Sequence, residues 1–136
     1  MSEIQNAYDE VYVYTMGRPG FILQHVVDAH TAQTATAASK PIAIVFALVG
    51  LYLHLEKGFT GRQVQQAHER LGRHKRPWPD VPLPDHRGAM TALDVMAVPA
   101  GIERDAAIDS WCEMVWQAFG ASRDVIVRLL GEEGLT

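Results

Sequence analysis

Two histidines and one aspartate of this 136-residue chain have the types and the spacing to support chemistry at a single site. His25 and Asp28 are three positions apart, so their side chains lie on the same face of a helix and can meet. An aspartate that accepts a hydrogen bond from an imidazole fixes its tautomer and raises its basicity, which serves metal ligation and general-base catalysis. His54 approaches His25 if the helices that carry them are antiparallel neighbours. The three residues therefore predict a polar site between those two helices.

Two histidines and one carboxylate form a ligand set that suits iron or zinc, so His25, Asp28 and His54 are predicted ligands of a divalent metal cofactor. The set lacks the spacing of helical metal motifs such as His-Glu-x-x-His. A hydrogen-bonded polar pair that fixes the register of two packed helices is therefore an alternative interpretation. The pattern assigns no catalytic residue and leaves open whether the protein is an enzyme. For a small-molecule ligand, the predicted binding residues are His25, Asp28, Gln33, His54 and Trp78.

The apolar run Ile42–Leu53 is the most distinct of the elements that must position these side chains. Its 12 residues are fewer than the roughly 18 that a membrane-spanning helix needs, so the run predicts a helix buried on all sides. Pro41 suits the first turn of this helix, and Gly58 suits a left-handed cap at its end. Gly50 lowers the helix propensity in mid-helix, which indicates that another helix passes close to the backbone there.

Helical spacing of apolar residues predicts a further helix over Phe21–Gln33. Ser2–Met16 fits a helix or, around residues 11–14, a short strand, and we favour the helix. Two capping boxes, at Thr60–Gln63 and Thr91–Asp94, mark the starts of two more helices. Apolar residues spaced three or four apart predict one last helix from Glu103 to Leu130, with Gly120 as the place for a kink.

The segment His74–Arg87 contains four prolines, a density that no helix tolerates. We interpret it as an extended strap between the fourth and fifth helices, which either packs over the core or acts as a lid on the ligand site. No other segment predicts a strand. The predicted fold is therefore an all-α bundle of five or six helices in a single domain over residues 1–136.

The composition excludes several classes of protein. A hydrophobic fraction of 48% with a net charge of −4 excludes a disordered chain. Cys112 is the single cysteine, which excludes a disulfide scaffold and a zinc knuckle built on thiolates, and its position on an apolar stripe predicts a core residue. The first ten residues are polar and acidic, so we expect no signal peptide and a cytoplasmic location.

Basic and acidic residues are segregated along the chain. Lys57–Arg87 contains seven basic and three acidic residues, whereas the remainder contains five basic and 13 acidic residues. The basic surface of residues 62–78 predicts, as an alternative function, a protein-interaction module without enzymatic activity. Nucleic acid is not an expected partner, because a chain that is acidic overall repels it at long range. A homodimer is expected, since two-fold dimers are the commonest oligomers.

Long stretches of the chain resemble a bacterial domain family of unknown function. The resemblance covers Tyr8 to Leu130 and rests on FILQHVVDAHTAQ, KPIAIVFALVGLYLHLEKGFTGRQVQ, RGAMTALDVMAVPAG and WCEMVWQAF. It implies a helical cytoplasmic domain and assigns no activity. Some relatives carry a Cys-x-x-Cys element near the N-terminus, which this chain lacks. Others have Tyr and His at the positions of His30 and Thr34, so the resemblance favours Asp28 and Gln33 as polar site positions.

Overall fold

The computed structural model describes residues 2–135, and in that range the chain forms seven α-helices and no β-strand. Met1 and Thr136 of the predicted domain lie outside the described residues. The all-α prediction is confirmed, as is the helix at the start of the chain. The helices are α1 (Glu3–Met16), α2 (Leu23–Thr34), α3 (Pro41–Lys57), α4 (Gly61–Gly72), α5 (Ala92–Ala97), α6 (Ile102–Ala118) and α7 (Arg123–Glu132), with 3-10 turns at Pro19–Phe21 and Gly120–Ser122.

Helix α3 forms the centre of the bundle and packs against α2, α4, α6 and α7. Pro41 begins it, and Gly58 ends it with a φ of 71°, as the sequence predicted. A Cβ atom at Gly50 would lie 1.8 Å from Oδ2 of Asp28, so α2 packs this closely only because residue 50 is glycine. Within residues 2–135, no helix is both long enough and apolar enough to cross a membrane.

The prediction of one helix from Glu103 to Leu130 was wrong about its continuity, because α6 ends at Ala118 and α7 begins at Arg123, whereas the kink predicted at Gly120 lies within this break. Phe119 leaves the helical conformation, with φ −94° and ψ 19°, and Gly120, a poor helix former, begins the 3-10 turn that follows. The break allows α7 to pack against α3. Apolar spacing continues across the break because both helices bury a stripe of the same kind, so periodicity did not reveal it.

The extended strap is confirmed as the loop of residues 73–91 between α4 and α5, and two side chains hold it to α2. Gln33 donates through Nε2 to the carbonyls of Arg87 and Met90, while its Oε1 accepts from Nε1 of Trp111. The Arg87 guanidinium in turn donates to three carbonyls at the end of α2, those of Ala32, Gln33 and Ala35. A cation at this position satisfies carbonyls that have no partner within the helix.

Candidate functional site

His25 and His54 are brought together by the antiparallel packing of α2 and α3. Their rings stack with centroids 3.5 Å apart and planes inclined by 13°. His25 is only 3% exposed. The side chain of His54 is 18% exposed, so it is the member of the pair that reaches the surface. The stacked pair is the centre of what we call the polar cluster, which also includes Asp28, Asp109 and Cys112.

Both ring nitrogens of His54 are engaged in hydrogen bonds. Nδ1 lies 3.2 Å from the carbonyl oxygen of Phe59, and Nε2 lies 2.9 Å from Oδ1 of Asp109 on α6. A carbonyl and a carboxylate only accept hydrogen bonds, so the imidazolium form of His54 satisfies both contacts at once. His54 and the exposed Asp109 therefore form a hydrogen-bonded pair at the rim of the polar cluster, and each nitrogen of His54 already faces an acceptor of the chain.

His25 has the opposite environment. Its pKa is lowered to about 4, first by burial and second by the Coulombic effect of the adjacent His54, with Asp109 acting in the opposite direction. The ring is therefore neutral at neutral pH. Its Nδ1 is buried and has no hydrogen-bond partner among residues 2–135. His25 thus presents an uncharged imidazole with one unsatisfied nitrogen to the interior of the polar cluster.

Asp28 lies one helical turn from His25, is 3% exposed, and faces the backbone of α3. Its Oδ1 accepts a hydrogen bond from Nε2 of Gln24 at 3.0 Å, whereas its Oδ2 has no partner among residues 2–135. Burial raises the pKa of this carboxyl well above its ordinary value, against the smaller effect of the Gln24 hydrogen bond. The predicted hydrogen bond between His25 and Asp28 is absent from these residues, and the imidazole–carboxylate pair forms between His54 and Asp109 instead.

Cys112 completes the polar cluster from α6 and is fully buried, as expected for a core residue. Its Sγ donates a hydrogen bond to the backbone carbonyl of His25 at 3.6 Å. Burial raises the pKa of this thiol well above its ordinary value, and the nearby carboxyl groups of Asp109 and Asp28 add to the effect. The group is therefore held as a thiol, which is not the reactive form of cysteine.

The sequence predicted His25, Asp28 and His54 as joint ligands of a metal ion. Among residues 2–135, no group of three or more His, Cys, Asp or Glu side chains is placed to hold a metal ion. An imidazole lone pair lies in the plane of its ring, so the stacked rings of His25 and His54 do not direct their lone pairs to one point. Asp28 adds no third ligand to them, because it faces Gly50. Metal binding by these three residues stays a prediction.

Gln33 and Trp78, the other two predicted binding residues, lie outside the polar cluster. Gln33 is eight residues from His25 on α2, about 12 Å along the helix axis, and it lines a 360 Å³ pocket beside the strap. Trp78 packs edge-on against Phe46, with centroids 5.4 Å apart. The five predicted residues thus occupy three separate places in the fold.

Two residues of the site were not identified from the sequence. Asp109 lies three positions before Cys112 on α6, at a polar position beside the apolar stripe, and Gln24 lies four positions before Asp28 on α2. The spacing of each pair is a local signal. What the sequence does not contain is the packing of α6 against both α2 and α3, which brings Asp109 to His54 across 55 positions.

Several cations of the predicted basic surface are engaged within the chain. The guanidinium of Arg62 lies 4.7 Å from the ring centroid of Phe21. His74 and Arg76 both pair with Glu133, just beyond the end of α7. Arg70, Arg73 and Lys75 remain exposed. The interaction module, the homodimer and the exclusion of nucleic acid stay predictions.

The model of a family of unknown function, DUF5946, matches residues 5–120 of the chain. The match confirms the resemblance found in the sequence, and it includes every member of the polar cluster. Helix α7 lies beyond the matched residues. No curated protein and no solved structure matches the chain.

Proposed function

This chain belongs to DUF5946, a family of unknown function, and we propose that its domain binds a small uncharged polar molecule at the polar cluster. The observation that carries the proposal is the pair of buried, unsatisfied atoms, Nδ1 of His25 and Oδ2 of Asp28, which have no partner among residues 2–135. Buried polar atoms without a partner are rare in native proteins, because each loses its hydration without compensation. A bound molecule that hydrogen-bonds to Nδ1 of His25 would supply that compensation for the ring.

The charge state of the polar cluster favours an uncharged ligand. Burial keeps His25 neutral, favours the protonated carboxyl of Asp28, and holds Cys112 as a thiol. At the rim, the carboxyl group of Asp109 is already hydrogen-bonded to His54. A charged ligand would lose its hydration in the interior without gaining a free countercharge, which is costly.

The same environment favours binding over acid–base catalysis. A general base works best when its pKa lies near the working pH, and the pKa of His25 is lowered to about 4. Cys112 is disfavoured as a nucleophile because its pKa is raised. His25 therefore acts in this proposal as the hydrogen-bonding group that the ligand contacts, whereas the carboxyl group of Asp28 packs against Gly50 of α3.

The proposal is tested with acetamide and acetate, which have nearly the same shape and differ in charge. Each is titrated into the protein while the backbone amide NMR signals of residues 25, 28, 54 and 112 are followed. We expect acetamide to shift these signals saturably and acetate to leave them unchanged. His25→Leu should abolish the shifts, whereas Asp28→Asn, which keeps a neutral hydrogen-bonding side chain, should retain them.

His86→Leu is the matched control, because it makes the same substitution at an exposed histidine of the strap. The proposal is wrong if acetate and acetamide shift the same signals equally, or if His25→Leu still responds to acetamide. A titration with Zn²⁺ tests the metal interpretation in the same spectra. Saturable Zn²⁺ binding that is lost in His25→Leu and excludes acetamide would replace the proposed ligand with a metal ion.

A further inference from the structure

A concave site lies between the proline-rich loop and α7 and shares no residue with the polar cluster. It has a volume of 340 Å³, near the lower end of the range of about 300–1,000 Å³ that small-molecule sites occupy. Pro77, Pro79, Val125 and Leu129 supply apolar walls, and Arg76 and Arg128 supply two guanidinium groups. The site therefore combines an apolar surface with two cations.

Arg76 is held in place by two neighbouring side chains. It pairs through Nη2 with Glu133, and its Cζ lies 5.5 Å from the ring centroid of Trp78. Its Nε is buried and has no acceptor among residues 2–135. A guanidinium has five N–H groups in a rigid plane, so the pairing with Glu133 leaves donors that a ligand oxygen could satisfy.

We propose that this pocket binds a small organic monocarboxylate whose body is compact and apolar. The carboxylate accepts hydrogen bonds from the guanidinium groups of Arg76 and Arg128, and the apolar body contacts the two prolines. Glu132 also lines the pocket, and its negative charge opposes a doubly charged anion more than a singly charged one. The site thus favours a carboxylate over inorganic phosphate, and it stands independently of the function proposed for the polar cluster.

The test uses phenylacetate and phenylacetamide, which share an apolar ring and differ in the charge of the head group. Binding to the full chain is measured by ligand-observed NMR and by isothermal calorimetry. Because a charge-assisted hydrogen bond is lost, phenylacetamide should bind about tenfold or more weakly than phenylacetate. Arg128→Gln should weaken phenylacetate to the same extent, and an unchanged circular dichroism spectrum and melting temperature would establish that this exposed residue is not needed for folding.

Arg73→Gln provides the charge-matched control, because Arg73 is exposed on the same basic surface but does not line this pocket. It should leave phenylacetate binding within about twofold of the unmodified chain, since only long-range attraction is lost. Equal binding of the two probes would overturn the proposal. So would equal losses in the two arginine variants, or the absence of phenylacetate binding.

Discussion

The buried ring of His25 should make the protein less stable in mild acid, and His25→Gln should remove this dependence. The pKa of His25 is about 4 in the folded protein and 6.5 in the unfolded chain. Between these values the unfolded chain binds a proton that the folded protein does not, so the free energy of unfolding falls as the pH is lowered. Above pH 6.5 the ring of His25 causes no such fall in the free energy of unfolding. The fall grows as the pH is lowered and reaches its full size below about pH 4.

The size of the effect follows from the two pKa values. One pKa unit corresponds to about 1.4 kcal/mol, so His25 costs the folded state about 3 kcal/mol when the pH has fallen below 4. At pH 5 the loss is already about 2 kcal/mol. This is a large fraction of the 5–15 kcal/mol, roughly, that stabilises a typical domain.

Urea unfolding at pH 7.5 and pH 5 measures this loss. The drop in the free energy of unfolding between the two pH values should be about 2 kcal/mol larger in the unmodified chain than in His25→Gln. Asp28 titrates in the opposite direction, but it is present in both proteins and cancels in the comparison. His86→Gln should behave like the unmodified chain. Equal drops in the unmodified chain and in His25→Gln would refute the neutral, buried state of His25.

Three further substitutions test the packing around the site. Asp28→Asn should raise the free energy of unfolding at pH 7. The pKa of Asp28 is raised in the folded protein, so the folded state loses stability once the carboxyl group ionises in the unfolded chain. Urea unfolding below pH 3.8 should therefore show no such gain. Gly50→Ala should lower the melting temperature, although it improves the helix propensity by about 1 kcal/mol, because the new Cβ atom would overlap Oδ2 of Asp28. The double substitution Gly50→Ala and Asp28→Ala should restore part of this loss. Gln33→Ala should cost about 2 kcal/mol and speed proteolysis of the strap, because three hydrogen bonds are lost, whereas the exposed control Gln66→Ala should do neither.

Most helices were predictable because their ends are encoded locally. The capping boxes at Thr60 and Thr91 form as their spacing predicts, and Pro41 and Gly58 bound α3. The break between α6 and α7 was not predictable in the same way. Both helices bury apolar residues at helical spacing, so the pattern continues through a turn that only tertiary packing requires.

The sequence predicted only the contacts of the candidate site that lie between helices consecutive in the chain. A short connection makes α2 and α3 antiparallel, and this alone brings His25 to His54 and Asp28 to Gly50. The partner of His54 is supplied by α6, and nothing in the sequence pairs Asp109 with it. Gln33 was grouped with the histidines because the resemblance favoured it, and Trp78 because it lies on the strap that was interpreted as a lid. In the structure Gln33 holds the strap to α2, and Trp78 packs on Phe46.

A nitrogen–proton NMR spectrum of the histidine rings, recorded during an acetamide titration, observes the proposed contact at the atom that makes it. We predict that Nδ1 of His25 shifts saturably as acetamide is added, while the ring of the exposed His86 does not change. The spectrum also reports the protonation state of the His25 ring, which should remain neutral throughout. If the NMR signals of the His25 ring nitrogens do not shift while acetamide is shown to bind elsewhere on the chain, the polar cluster is not the ligand site.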